Sequence, residues 1–509
     1  MNLTDFLNHY ALTENPFRGE EARLDAVFDR MRASGNPALH HSEFEKIVGD
    51  LAHPSASVVF GEKGTGKTAI RIQIAEAIAA HNQANPGGRL LFFAYDDLNS
   101  LLDRFHERVG GAAGDALNKF RLVDHLDAVL SQIVPRLVDA FLEQGTDPLP
   151  VLTPGAPVKA TVARLDKPMR RDLLLLQAIY DRPEDATART RKLQARLRLR
   201  NPVSAFVSDF LSILAPLLIA AAAVYEHYFA QGEYKDERIW WLIGALAGVW
   251  ALYMIKRLAI DRLVNLAVAR RVRKQVRVVA RGDVSFARSI RRLDASRRVA
   301  GLLPTTDSDE ARYTLLDRLL KVLRVLGHAG VIIVVDRVDE PTLIKGDPER
   351  MRAIVWPLLN NKFLQHDGLG VKLLLPIELR HILFKESSAF FQEARLDKQN
   401  LVERLSWTGS SLYDLCQARL EACRPASAPP LSIRDLFVED VTKQEIVEAL
   451  DQMHQPRDAF KLLYRCMAEH CAGVTRDAAS FRMDGLLLET VKRQEAERIQ
   501  ALHRGIRPA

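Results

Sequence analysis

The chain has 509 residues, 48% of them hydrophobic, with 71 basic against 64 acidic side chains, a formal charge of +7. This length allows more than one folded unit, and this apolar share excludes a disordered chain. The charge is modest and gathered in Arg-rich blocks, so where it sits matters more than its sum.

Met1 to Tyr10 is polar and lacks the basic start and apolar stretch of a signal peptide. The first strong pattern is the apolar run Ser57 to Phe60, followed by Gly61-Glu62-Lys63-Gly64-Thr65-Gly66-Lys67-Thr68 and an amphipathic segment from Ala69. A strand, this eight-residue pattern and a helix together predict a phosphate-binding loop. Glycines let the backbone curl so that successive N–H groups face phosphate oxygens, and the helix N-terminus adds its positive end. Lys67 is expected to reach the β- and γ-phosphates of ATP, and the Thr68 hydroxyl to sit on Mg²⁺. Leu90 to Tyr95 predicts a second strand, ending at Asp96-Asp97.

Next come two apolar stretches, Phe206 to Tyr225 and Ile239 to Ile255, which predict a transmembrane helical hairpin at the short end of spanning length. Arg189, Arg191, Lys192, Arg196, Arg198 and Arg200 precede it, and Lys256, Arg257, Arg262, Arg270, Arg271, Arg273 and Lys274 follow it. Its intervening loop is acidic, with Glu226, Glu233, Asp236 and Glu237 against Lys235 and Arg238. Positive flanks around an acidic loop place both large parts of the chain on the cytoplasmic side of the membrane. The alternative is a buried core hairpin. Gly244, Ala245, Ala247 and Gly248 would permit close packing against the partner helix or a second subunit. The basic flanks suit anionic lipid headgroups better than nucleic acid, since no aromatic interleaving accompanies the arginines. Ile260 to Arg298 is compatible with one long helix, although Val276, Val278 and Val279 disturb the period.

Val331 to Val335 is a continuous β-branched run, the pattern of a strand buried on both faces, and it ends at Asp336. Asp336 is expected to hold the Mg²⁺ shell, and Asp339 or Glu340 to position the attacking water. Val371 to Leu375 and Leu401 to Trp407 supply further strands, making five short β segments with helical patterns between them, a parallel α/β sheet. Ligands of such sheets lie at the carboxyl ends of the strands, where Glu378 or Arg380 is placed either to sense the γ-phosphate or as ordinary turn polarity. From Ser410 the pattern is helical and reads as a lid, with helices near 412–420, 442–453 and 458–470. Arg457, following Pro456, either reaches the phosphates or is a solvated arginine at a helix start. Cys416, Cys423, Cys466 and Cys471 have no metal-ligand spacing and read as reduced, partly buried thiols.

With these motifs in place, the chain resembles an additional-strand P-loop ATPase related to the AAA and STAND groups, and most specifically the KAP type. KAP NTPases carry transmembrane helices inserted between the phosphate loop and the Mg²⁺-binding strand. Asp336-Arg337-Val338-Asp339-Glu340 is similar to their Asp-Asp-Leu-Asp-Arg pattern and departs from it at Arg337 and Glu340. Asn15-Pro16-Phe17 resembles a lead-in that packs by the nucleotide base in some AAA-type ATPases, and Pro456-Arg457 resembles their lid sensor. The resemblance implies a homo-oligomer, with Arg395 or Arg404 as the arginine completing a neighbour's site, and a role in bacterial defence or in organising a membrane complex. The expected organisation is a lead-in (1–50), a first core part (51–165), a basic insertion with the hairpin (166–300), a second core part (301–408) and a helical lid region (409–509). The expected function is a membrane-anchored ATPase. The alternatives are a nucleotide-binding membrane scaffold with little hydrolysis, or a peripheral DNA-handling ATPase.

Overall fold

The structure, a computed structural model, describes residues 1–18, 21–145, 149, 157–199, 203–228, 237–256, 261–294, 301–385, 395, 399–474 and 480–503. Five parallel strands form its centre: β1 (Ser57–Gly61), β2 (Arg89–Tyr95), β3 (His328–Val335), β4 (Leu369–Pro376) and β5 (Asn400–Val402), in the order β2-β3-β4-β1-β5. β4 therefore stands between β1, which leads into the Gly61–Thr68 loop, and β3, which ends at Asp336. Every residue of β1 and β4 is buried, as a parallel strand covered on both faces requires.

The last strand is shorter than the expected 401–407. After Val402 the chain leaves the ladder: Leu405 N still donates to Phe60 O at 2.7 Å, while the Trp407 indole turns to donate to Thr65 O at 3.0 Å. Those residues pack on the Gly61–Thr68 loop instead of extending the sheet.

Between β2 and β3 the described chain is helical. Leu122–Leu142, Lys167–Tyr180, Ala186–Arg196, Asp261–Gln275, Asp283–Ile290 and Asp309–Val325 share one apolar cluster with the sheet, running from Val58 and Phe93 through Leu130, Leu176 and Val272 to Leu319. The long helix expected over 260–298 is two helices, because Val276, Val278 and Val279 are buried in the turn that joins them. The basic block before the hairpin is also not wholly a lipid-facing flank. Arg189 is buried, paired with Asp181 at 3.0 Å and Asp139 at 2.8 Å, since a guanidinium removed from water needs carboxylate partners.

The apolar stretches fold as helices Val203–Tyr228 and Glu237–Ile255, which pack on each other. Among the described residues no helix is long and apolar enough to cross a membrane. Large side chains nevertheless stay exposed on both, including Leu217, Leu218, Trp241, Leu246, Val249 and Leu252. Arg200, Arg257 and the loop residues Glu233, Lys235 and Asp236 lie outside the described residues.

A second apolar cluster joins the N-terminal segment to the C-terminal helices, with Phe6, Phe17 and Phe28 packed among Leu412, Leu450, Leu463 and Val491. The helical region consists of Gly409–Ala422, Lys443–Asp451, Pro456–Gly473 and Gly485–His503. Thr408 caps the first of these, and a Thr442/Glu445 capping box starts the second. All four cysteines are buried free thiols, and burial pushes Cys416 and Cys466 up to about 12.

Candidate nucleotide-binding site

β1 delivers its last residue, Gly61, into the loop, and the helix Lys67–Ala84 leaves it. Gly64 at φ +111° and Gly66 at φ +95° make the reversal, conformations that cost an L side chain energy. The loop is braced from inside: the Thr65 hydroxyl donates to Glu62 O at 2.9 Å, and the Lys67 ammonium donates to Gly61 O at 2.8 Å and Glu62 O at 2.9 Å. Burial lowers the Lys67 pKa, while Asp336, Asp339 and Glu378 hold the charge on it.

Asp336 lies at the carboxyl end of β3 and is buried. Its Oδ2 accepts the Thr68 hydroxyl at 3.2 Å, and its Oδ1 accepts Arg337 N at 3.0 Å. Burial raises its pKa, opposed by Arg71, whose Nε is 3.6 Å from Oδ2, and by Lys67. A hydroxyl and a carboxylate at this spacing fit a Mg²⁺ ion held mainly by nucleotide phosphates and water. No group of three or more metal-ligating side chains occurs among the described residues, and such an ion needs none.

Lys63, Gly64, Gly66, Lys67, Thr68, Asp336, Asp339, Glu340 and Arg457 all line one cavity of about 360 Å³. Gly61, Glu62 and Thr65 do not line it; they hold the loop's internal hydrogen bonds. Asp339 is half-buried, and among the described residues its carboxylate has no hydrogen-bond partner. Glu340 is exposed and engaged: Arg337, itself at φ +61°, donates to it at 2.7 Å and to Glu21 at 2.7 Å. Arg457 starts the helix Pro456–Gly473 over the loop, with its backbone N 3.5 Å from Gly64 O and Nη1 3.5 Å from Lys63 O.

The same cavity also has apolar lining, from Ala22, Phe28, Leu39, Leu415 and Phe460. Asp25 and Arg419 line the cavity too: Arg419, buried, pairs with Asp25 at 2.6 Å, donates to Pro16 O at 2.7 Å and stacks 4.5 Å from the Phe460 ring. The Asn15-Pro16-Phe17 lead-in is thereby tied to the cavity wall.

Other expected residues stand elsewhere. Glu378 is exposed on the first turn after β4, and Arg380 is engaged by Glu403 at 2.6 Å; neither lines the cavity. Arg404 pairs with Glu62 of its own loop at 2.7 Å, and Arg395 is exposed. Sequence reasoning passed over Arg71, Trp407 and the Asp25–Arg419 pair. Arg71 had a signal, since it follows Lys67 by four residues on one helix face. Arg419 is a cation inside an apolar stripe, and Asp25, 394 residues away, was not predictable as its partner. No family model, curated protein or solved structure matches the chain.

Proposed function

We propose that this protein binds Mg²⁺-ATP at the phosphate loop and hydrolyses it, as a membrane-anchored ATPase of the KAP type. The observation that carries this reading is the convergence of Lys67 and Thr68, from the end of β1, with Asp336, from the end of β3, on one cavity that also has apolar lining. The extra strand between β1 and β3 also suits an additional-strand P-loop protein. Mg²⁺ would be held by Thr68 and Asp336, and when bound it neutralises charge on the β- and γ-phosphate oxygens. The loop amides and the start of the helix Lys67–Ala84 receive phosphate charge. Asp339, half-buried and uncommitted at the cavity wall, orients water, whereas Glu340 is held off by Arg337. Arg457 links the phosphate end to the helical lid.

ATP turnover by the detergent-purified protein, with bound nucleotide quantified beside Asp339→Asn and Glu340→Gln, tests this reading. Turnover lost in Asp339→Asn with ATP retained is the expected result. ATP bound by all three proteins with no turnover would favour the scaffold reading, which the Glu21–Arg337–Glu340 chain supports because it withdraws one carboxylate. Anchoring through the hairpin is supported by its exposed apolar side chains, and an arginine from a second copy would complete the site.

A further inference from the structure

A second concavity, about 350 Å³, lies away from the nucleotide cavity and is lined by Arg108, Arg270, Arg273, Lys274, Arg277 and Asp283. Most of its cations come from the helix Asp261–Gln275, the first described helix after the hairpin, and Arg108 comes from the helix Asn99–Val109. The wall is built rather than loose. Arg277 takes both oxygens of the buried Asp124, at 2.9 and 2.5 Å, and stacks 4.8 Å from the Phe105 ring. Arg108 donates to Arg273 O at 3.1 Å and Val279 O at 2.9 Å. Arg273 and Arg270 share Asp283, at 3.1 and 3.7 Å. Lys274 is exposed and has no acidic partner among the described residues.

Five cations thus surround the space against two carboxylates in contact with them, Asp283 and Asp124, with Glu107 on the neighbouring turn. Like charges held this close repel unless an anion is shared, and guanidinium forks fit phosphate oxygens. Position supplies the ligand's source. On the same helix Leu263 and Val264 are exposed, seven and six residues before Arg270, roughly 10 Å at 1.5 Å per residue. In chain order an apolar hairpin, exposed Arg262, apolar side chains and then the pocket's cations about one headgroup depth further along the helix match the order of groups met on leaving a bilayer.

We propose that this pocket binds a phosphate monoester, presented as the headgroup of an anionic phospholipid at the base of the hairpin. The source of the phosphate rests on the membrane reading above; the pocket's chemistry does not.

The test titrates the full chain, in neutral detergent, with short-chain phosphatidic acid in mixed micelles and separately with inorganic pyrophosphate. Three proteins are compared: wild type, the lining pair Arg270→Gln/Lys274→Gln, and the non-lining pair Arg262→Gln/Arg271→Gln, which removes equal charge from the same helix. Each charge-assisted hydrogen bond to the phosphate contributes about fivefold, so the lining pair should weaken phosphatidic acid binding by roughly 25-fold and the control pair, whose charges do not line the pocket, by about twofold or less. The phosphate loop is unchanged in all three, so its own affinity for pyrophosphate cancels. Equal losses in both pairs, or no binding by wild type, overturn the pocket. Pyrophosphate bound as tightly as the lipid, with the same dependence on the lining pair, overturns the lipid source and assigns a soluble phosphate. A pyrophosphate signal that depends on the pocket, in a protein that fails carbonate-resistant membrane association, would fault the membrane reading alone.

Discussion

Gly64 shows how closely one residue is specified. Its φ of +111° disfavours any L side chain, and a Cβ there would fall 2.8 Å from Arg457 Cβ. Gly64→Ala should cost about 1–3 kcal/mol of local strain, read as at least a tenfold loss of ATP affinity in equilibrium binding with the melting temperature little changed. Unchanged affinity would mean that Arg457 does not rest on the loop. Lys67→Ala should abolish turnover and weaken ATP binding while the fold persists, because Lys67 bridges only loop carbonyls. Normal nucleotide affinity in that variant would show the phosphates to be elsewhere. The turn at Gly64 and the place of Lys67 at the helix start were legible in the sequence, since a glycine-rich turn between a strand and a helix is local. The Arg337–Glu340 and Arg404–Glu62 pairs were not, since ion pairing depends on what stands opposite.

At the scale of elements, β4 carries a charge where a doubly covered strand should have none. Lys372 is fully buried with Val48 O as acceptor at 2.8 Å, and burial lowers its pKa to about 7. The folded value lies below the unfolded one near 10.5, so the neutral form is favoured on folding. Stability from this group is therefore present above the unfolded value and lost as pH falls toward 7. Denaturant melts of wild type should gain on those of Lys372→Met between pH 7.5 and 9, with a slope approaching about 1.4 kcal/mol per pH unit. Parallel pH profiles for the two proteins would refute it. The strands themselves were readable as apolar runs. The early end of β5 was not, because Trp407 has strand propensity yet is used to hold Thr65.

For the whole molecule, the hairpin and the cysteines carry the predictions. Replacing Leu246 and Val249 with arginine, both exposed on the helix Glu237–Ile255, should release the protein from membranes at alkaline carbonate, since charge within the apolar layer is costly. Extraction identical to wild type would remove the hairpin from the anchor. The buried thiols, raised by desolvation, should resist alkylation at neutral pH until the chain is denatured. Rapid labelling of the native protein would contradict the packing of the lid.

The sequence by itself determined the Gly61–Thr68 turn between a strand and a helix, the Asp336 strand, the two hairpin helices and the helical character of the C-terminal region. Each is written in short-range spacing and hydrophobic period, which the backbone obeys locally. Only the tertiary structure decided that β4 separates β1 from β3, that the insertion shares the sheet's core, that Arg189 is buried, and that five cations meet in one pocket. These depend on contacts between residues tens to hundreds of positions apart, where burial and charge pairing choose among arrangements that local pattern leaves equal.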